Sequence, residues 1–178
     1  MRITISGPPG SGKTTACKLV ADHLHLEVVV SGNIFRQMAK ESSKSLADLG
    51  KMCEEDPETD KKLDQRMVEI ARSKDDIILE GRLTAHMLTR NGIPALRVLM
   101  DADLDVRAAR VAEREGGTPE QRKHEIVVRE DCEAKRYHAF YDIDIRDRKV
   151  YDLIVDTTYL TPDQVAEKII NAAEGKDV

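Results

Sequence analysis

The sequence predicts an α/β fold in which helices cover both faces of a five-stranded parallel sheet. Five short runs of mostly apolar residues have the β-branched or Leu-rich character of buried strands. They lie at residues 3–5, 27–31, 77–79, 97–100 and 153–155. Helical stretches long enough for a crossover connection separate each run from the next. The first run leads into the Gly-rich sequence GPPGSGKT and then into a helical stretch. We therefore expect a P-loop NTPase domain with three layers, α/β/α.

The composition allows one domain and disfavours a polyanionic partner. With 178 residues, of which 40% are hydrophobic, the chain can bury one sizeable core, and we expect a single domain over residues 1–178. A formal net charge of −5 argues against nucleic acid or an anionic membrane as a partner. No apolar run is long enough for a signal segment or a membrane span, so we expect a cytoplasmic protein. No apolar stripe clearly exceeds what the core needs, and we expect a monomer.

The cysteines and histidines do not form a recognisable metal-site or disulfide pattern. The three cysteines, Cys17, Cys53 and Cys132, are far apart and lack CxxC spacing, which favours reduced thiols. His23 and His25 could bind a metal weakly, but two exposed residues near a helix end is the favoured interpretation.

The Gly-rich sequence fits the P-loop pattern G-x-x-x-x-G-K-[ST] at every fixed position. Its glycines let successive backbone N–H groups point into one concavity, to which the N-terminal end of the next helix adds positive potential. Lys13 would reach the β- and γ-phosphates of ATP, and the Thr14 hydroxyl would hold Mg²⁺. The alternative is a Gly-rich turn without function, which the flanking strand and helix disfavour. The candidate nucleotide-binding residues are Gly7, Pro8, Pro9, Gly10, Ser11, Gly12, Lys13, Thr14 and Thr15.

About 45 residues between the second and third runs look wholly helical and form an arm. The many charges of this arm are typical of a solvated outer face. Ser31 and Arg36 stand out, because they lie where the chain leaves the carboxyl edge of the sheet, at which open α/β folds bind ligands.

The third run ends in Glu80-Gly81-Arg82. P-loop proteins place a carboxylate beside the hydroxyl residue of the loop to hold Mg²⁺, and Glu80 is suited to that task. Gly81 permits close backbone approach, and Arg82 adds a cation. A structural ion pair between Glu80 and Arg82 is the alternative.

Three arginines follow the fourth run on a single helix face. Arg107, Arg110 and Arg114 have the three- and four-residue spacings that align side chains along a helix. The stretch ends at Gly116-Gly117, a candidate hinge. The next helix is predicted to begin at Thr118-Pro119-Glu120-Gln121, with a threonine cap, proline at the first helical position and a capping box.

That next helix carries Arg129 and Arg136 two turns apart, with Glu133 between them. An ordinary ion pair between Arg129 and Glu133 would explain part of this pattern, but not Arg136. We expect both arginines to face the solvent when no ligand is bound.

These pieces suit phosphoryl transfer to an acceptor that is itself a phosphate. A phosphate monoester is mostly a dianion at neutral pH, so its oxygen needs no general base. Two polyanions must come within about 3–3.5 Å of each other, which requires Mg²⁺, several cations and exclusion of water. The available cations are Lys13, Arg36, Arg82, Arg110, Arg129 and Arg136. No Ser/His/Asp or Cys/His arrangement is visible, which fits transfer by positioning alone.

The combination of motifs resembles that of the nucleoside monophosphate kinase family, most closely the archaeal-type cytidylate kinases, over nearly the full chain. The motifs are GPPGSGKTT at 7–15, Ser31-Gly32-x-x-x-Arg36, Glu80-Gly81-Arg82, Arg107-Ala-Ala-Arg110, the Arg129/Glu133/Arg136 helix and Asp156-Thr157-Thr158. This resemblance implies strand order 2-3-1-4-5, a monophosphate-binding arm at about 32–75 and a LID at about 113–137. It implies ATP with Mg²⁺ as co-substrate, and CMP or dCMP as acceptor.

The resemblance also implies roles for individual residues. Arg36 and Arg82 would grip the acceptor phosphate, Arg129 and Arg136 would close on the transferring group, and Glu133 would lie near the sugar. The full set comprises, for catalysis, Lys13, Arg82, Arg129 and Arg136; for the nucleotide, the P-loop residues and Arg110; for the acceptor, Ser31, Arg36, Gly81, Arg82 and Glu133; and for the metal, Thr14 and Glu80.

The sequence says least about how the base of the acceptor is recognised. Bacterial cytidylate kinases follow the Gly-Arg pair with an aspartate involved in substrate recognition, whereas this chain has Leu83. Thr84 and polar residues of the arm are candidate base readers. A kinase for AMP, UMP or another acceptor is the first alternative. A regulatory P-loop ATPase is the second, although it would need no second arginine cluster.

Overall fold

A computed structural model describes residues 1–43 and 57–175. Five parallel strands form one sheet in the order β2-β3-β1-β4-β5, which confirms the predicted fold class and strand order. The strands are β1 (Arg2–Ser6), β2 (Glu27–Val30), β3 (Ile77–Glu80), β4 (Leu96–Asp101) and β5 (Leu153–Asp156). Each predicted run lies on a strand, except that Ser31 begins a helix instead of ending β2.

Seven helices lie within the described ranges. They are α1 (Lys13–Leu24), α2 (Ser31–Glu41), α3 (Pro57–Ser73), α4 (Thr84–Arg90), α5 (Leu104–Glu115), α6 (Pro119–Tyr141) and α7 (Pro162–Ala173). The predicted arm is helical at both ends, in α2 and α3. Its residues 44–56, with Cys53, lie outside the described residues. None of the described helices is both long and apolar enough to span a membrane.

The sheet is buried where its central strands lie. Ile3 and Ile5 of β1 are fully buried in a cluster with α1 and α7, and Ile77 and Leu79 of β3 pack against α3 and α4. The edge strand β2 is only partly buried, so its β-branched run does not indicate burial on both faces. The buried centre of the sheet therefore carries the loops that follow β1 and β3.

The carboxyl ends of the first three strands meet at one place. Glu80 pairs in register with Ile5 of β1 on one side and with Val30 of β2 on the other. The P-loop, the start of α2 and the Glu80-Gly81-Arg82 segment consequently surround a single point on the sheet edge.

Helix α6 connects distant parts of this edge. It begins with the predicted capping box of Thr118 and Gln121, with proline at its first position. Near its N-terminus Ile126 packs against α5, and near its C-terminus Tyr137 packs against Leu83 and α3. Arginines along α6 therefore reach both the P-loop side and the arm side.

Candidate active site

The P-loop backbone requires glycine where it turns. Gly10 has φ of 81°, and a Cβ atom there would lie 2.5 Å from the Arg107 carbonyl oxygen, so only glycine fits. Helix α1 begins at Lys13 without a side-chain cap, which leaves its first N–H groups available to an anion. The Lys13 ammonium crosses the loop and donates to the Pro8 carbonyl oxygen at 2.9 Å.

Lys13 lies on a cavity of about 400 Å³, which we call the nucleotide cavity because the predicted P-loop residues line it. Burial lowers the pKa of the Lys13 ammonium to about 8, although the neighbouring Glu80 carboxylate partly opposes the shift. A bound polyphosphate would favour the charged ammonium. The nucleotide cavity is lined by Pro9, Gly10, Gly12, Lys13, Thr14, Thr15, Val30, Ser31, Gly32, Arg36, Glu80, Gly81, Arg82, Arg114 and Arg129.

Thr14 and Glu80 have the arrangement expected of a magnesium site. The Thr14 hydroxyl lies 3.4 Å from Oε2 of Glu80. Within the described residues no group of three His, Cys, Asp or Glu side chains could hold a metal. A Mg²⁺ ion bound with substrate phosphates usually keeps several waters and takes only one or two protein ligands, so this sparse oxygen set fits it.

Arg82 pairs with Glu133 of α6 and not with Glu80. Nε of Arg82 lies 2.6 Å from Oε2 of Glu133, and Nε of Arg129 lies 2.9 Å from Oε1. Burial would raise the pKa of the Glu133 carboxyl, but the two guanidinium groups hold it below its ordinary value. One buried carboxylate therefore fixes two cations, and the Arg129–Glu133 ion pair foreseen as an alternative is present.

Arg136 differs from Arg129. Arg129 is 63% exposed, as predicted, whereas the Arg136 side chain is only 19% exposed and lies 2.8 Å from Oδ2 of Asp60 on α3. The expectation that Arg136 faces the solvent is wrong, because α3 supplies a buried carboxylate that pairs with it. Its guanidinium also lies over the Tyr137 ring at 5.3 Å.

A second cavity, of about 600 Å³, lies between the arm and α6. We call it the acceptor cavity. It is lined by Ser31, Gly32, Phe35, Asp60, Leu63, Asp64, Met67, Gly81, Arg82, Leu83, Thr84, Glu125, Val128, Arg129, Cys132, Glu133, Arg136 and Tyr137. Ser31, Gly32, Gly81, Arg82 and Arg129 line both this cavity and the nucleotide cavity. Two ligands would thus meet at a wall that carries two cations.

Gly81 sits in this shared wall by steric necessity. A Cβ atom there would lie 2.4 Å from Oγ1 of Thr84 and 3.0 Å from Oγ of Ser31. Arg36 is exposed and donates to the Asn33 side chain, and it lines the nucleotide cavity. The structure therefore brings Ser31, Arg36, Gly81 and Arg82 to the same edge.

Arg107 and Arg110 support the P-loop. Arg110 donates to the Gly10 carbonyl oxygen at 3.3 Å and to the Thr157 carbonyl oxygen at 2.8 Å. The Thr157 hydroxyl in turn donates to the Ser11 carbonyl oxygen at 3.1 Å. Arg107 is buried and paired with Glu130 at 3.1 Å. The sequence alone did not show that Thr157 braces the loop.

Sequence reasoning also missed Asp60, Asp64 and Tyr141. The hydroxyl of Tyr141 donates to Oδ2 of Asp64 at 2.5 Å. A signal was present, because residues 60 and 64 fall on the same face of α3 as Leu63 and Met67. Two acids on the apolar face of a helix are unusual, whereas the arm's overall charge suggested only a solvated surface.

The remaining sequence expectations concern the thiols and histidines. Cys17 is buried and Cys132 exposed, and both are free thiols. Burial raises the pKa of the Cys17 thiol to about 12. His23 and His25 are exposed, in agreement with the favoured interpretation.

Comparisons with known proteins show what the chain is similar to. Residues 2–159 match the cytidylate kinase-like family. The chain is 43% identical to a cytidylate kinase of Halobacterium salinarum over 174 residues, covering 98% of this chain and 90% of that protein. It is 44% identical to a cytidylate kinase of Methanococcoides burtonii, covering 89% and 88%. The crystal structure of a shikimate kinase from Bacteroides thetaiotaomicron has the same fold, with a TM-score of 0.64, 14% identity and 98% of each chain covered.

Proposed function

The chain belongs to the cytidylate kinase-like family, and we propose that it transfers the γ-phosphoryl group of ATP to CMP, and to dCMP, giving ADP with CDP or dCDP. One observation carries the proposal. The nucleotide cavity and the acceptor cavity share a wall on which buried Glu133 fixes Arg82 and holds the exposed Arg129 beside it.

The role of each residue follows from its position in the site. Lys13 and the N–H groups at the start of α1 bind the β- and γ-phosphates of ATP. Arg82, which lines both cavities, binds the acceptor phosphate. Arg36 lines the nucleotide cavity and adds a second cation where the two cavities meet at Ser31 and Gly81. Thr14 and Glu80 would hold Mg²⁺, which neutralises phosphate charge when it is bound.

The transfer requires alignment and not proton abstraction, because the acceptor oxygen is already ionised. Arg129 extends from the shared wall and neutralises charge on the transferring group. Arg136 adds positive charge to the acceptor cavity from the arm side, where it pairs with Asp60. Arg110 keeps the P-loop against the end of β5.

Closure of a LID at about 113–137 over an arm at about 32–75 would exclude water, and the glycines at 116 and 117 are its hinge. A monomeric state, a cytoplasmic location and the absence of a nucleic-acid partner remain predictions.

A coupled assay of ADP release tests the proposal. CMP, dCMP, UMP, AMP and GMP are compared at matched concentrations with ATP and Mg²⁺, and one reaction contains no acceptor. We expect CMP and dCMP to have the highest kcat/KM. A preference for AMP would make the protein an adenylate kinase. Equal ATP hydrolysis without any acceptor would overturn the assignment to the monophosphate kinases.

A further inference from the structure

The acceptor cavity has a chemically distinct end that does not border the nucleotide cavity. The lining residues Asp60, Leu63, Asp64, Met67 and Tyr137 belong to α3 and α6, and none of them lines the nucleotide cavity. A monophosphate with its phosphate at Arg82 must direct its base away from ATP. The base therefore lies toward this end, which we call the base end.

The two carboxylates of the base end are in different states. Asp60 is buried and its charge is matched by Arg136 at 2.8 Å. Asp64 is partly exposed to the cavity, and its hydrogen bond comes from the neutral Tyr141 hydroxyl at 2.5 Å. Burial raises the pKa of the Asp64 carboxyl to about 6, although the Tyr141 hydrogen bond opposes the shift. Asp64 thus carries acceptor capacity that Tyr141 alone does not use.

We propose that Asp64 distinguishes cytosine from uracil, by accepting a hydrogen bond from the 4-amino group of the acceptor's base. This inference rests on the proposed function and names the residue that selects its substrate. Cytosine presents a donor at position 4, whereas uracil presents a carbonyl oxygen. A carboxylate facing that carbonyl would leave two acceptors without a proton between them in a site screened from water, which is costly.

Tyr141 fixes the orientation in which the Asp64 carboxylate meets the base. Its hydroxyl donates to one oxygen of Asp64 and so holds the carboxylate in one orientation while the second oxygen serves the ligand. The same contact determines how an asparagine would behave at position 64. The Tyr141 hydroxyl would bond the amide oxygen, and the amide NH₂ group would then face the base. An NH₂ group there suits the position-4 oxygen of uracil.

The experiment compares kcat/KM for CMP and UMP in the full chain at pH 8, where Asp64 is ionised. The variants are Asp64→Asn, Tyr141→Phe and Glu69→Gln. Glu69 is an exposed residue of α3 that is bonded to Gln65 at 3.0 Å, so Glu69→Gln controls for loss of a carboxylate on the same helix. The loss of a charged hydrogen bond predicts that Asp64→Asn lowers the CMP/UMP ratio by about 10-fold to 100-fold.

The kinetic constants that change distinguish a loss of base recognition from a general catalytic defect. For Asp64→Asn, kcat/KM for CMP falls and kcat/KM for UMP rises or stays constant, while KM for ATP is unchanged. Tyr141→Phe keeps the carboxylate and still prefers CMP, with a ratio lowered by a few-fold. Glu69→Gln keeps the wild-type ratio. If Asp64→Asn does not fold, Asp64→Ser carries the same expectation of a lowered ratio.

Two outcomes overturn the inference. One is a CMP/UMP ratio for Asp64→Asn within twofold of wild type, and the other is an equal change in Glu69→Gln. Both are distinct from failure of the proposed function, in which the wild-type protein would not use CMP. If the wild type prefers CMP and Asp64→Asn retains that preference, only the role of Asp64 is refuted.

Discussion

Nε of Arg82, two residues after β3, lies 2.6 Å from Oε2 of Glu133 on α6. The two residues are 51 positions apart, and the Glu133 side chain is only 7% exposed. Because the same carboxylate also bonds Arg129, Glu133 links the cation that follows β3 to the cation on α6. The spacing of the two arginines at the shared wall is thus set by a residue that need not touch either phosphate.

Glu133→Gln should therefore impair both stability and turnover. The change leaves Arg82 and Arg129 close together without their shared negative charge, and we expect a loss of about 2 kcal/mol or more of unfolding free energy. We expect kcat to fall about tenfold or more, because the cations lose their fixed positions. Urea unfolding and steady-state kinetics measure the two effects. The control is Asp131→Asn on the same helix, which breaks the exposed pair with Arg146 and should change stability by less than about 0.5 kcal/mol.

Lys13→Met should affect the reaction more than it affects nucleotide binding. The ammonium is already positioned over the loop by the Pro8 carbonyl oxygen, and its charge is needed most as the γ-phosphoryl group leaves. We expect kcat to fall by about 10²-fold or more, with a smaller change in the dissociation constant of ATP. Lys18→Met, at an exposed position of the same helix, should retain wild-type kinetics. Near-wild-type turnover in Lys13→Met would refute the assigned role.

The arginines of α6 should separate in their effect on stability. Arg129→Ala should lower turnover with little loss of stability, since the side chain is 63% exposed and Glu133 keeps its contact with Arg82. Arg136→Ala should lower both, because it removes the cation from a buried pair with Asp60, at a cost of about 2 kcal/mol or more. Thermal unfolding and kcat are measured on both variants. An equal loss of stability in the two would contradict this distinction.

The contrast between these arginines shows what local sequence could predict. The P-loop and the Glu80-Gly81-Arg82 tip were predictable, because each motif consists of residues that are adjacent along the chain. The capping box of α6 was predictable for the same reason. Arg129 and Glu133 are one helical turn apart, so their pairing followed from helix geometry.

The base end of the acceptor cavity was not predictable in this way. Asp64 and Tyr141 are 77 positions apart, and their contact depends on how α3 and α6 pack. The sequence places Asp60 and Asp64 on the apolar face of a helix but does not say that Tyr141 packs against that face. Leu83 packs with Tyr137 and α3 in the core and offers no polar group to a base.

The last prediction concerns the stability cost of Asp64. Its pKa in the folded protein, about 6, lies above the ordinary value of 3.8, so the folded state binds this proton more tightly than the unfolded state. Near pH 4 the unfolded carboxyl begins to ionise while the folded one stays protonated. The contribution of Asp64 to stability therefore falls as pH rises from about 4 to 6, and the full penalty remains at pH 8.

Asp64→Asn removes that penalty and keeps an oxygen for the Tyr141 hydroxyl. Relative to wild type, the variant should gain about 1 to 2 kcal/mol of unfolding free energy between pH 4 and pH 8, after allowance for partial exposure of the carboxyl. Urea unfolding at both pH values measures the gain, and any constant cost of the altered contact cancels in the difference. Glu69→Gln, at an exposed position, should show no such trend. A wild-type-to-variant difference that does not vary with pH would mean that the Asp64 carboxyl is not destabilised when charged. A variant that is more stable at pH 8 yet less selective for CMP would show that this carboxylate is kept for recognition and not for the fold.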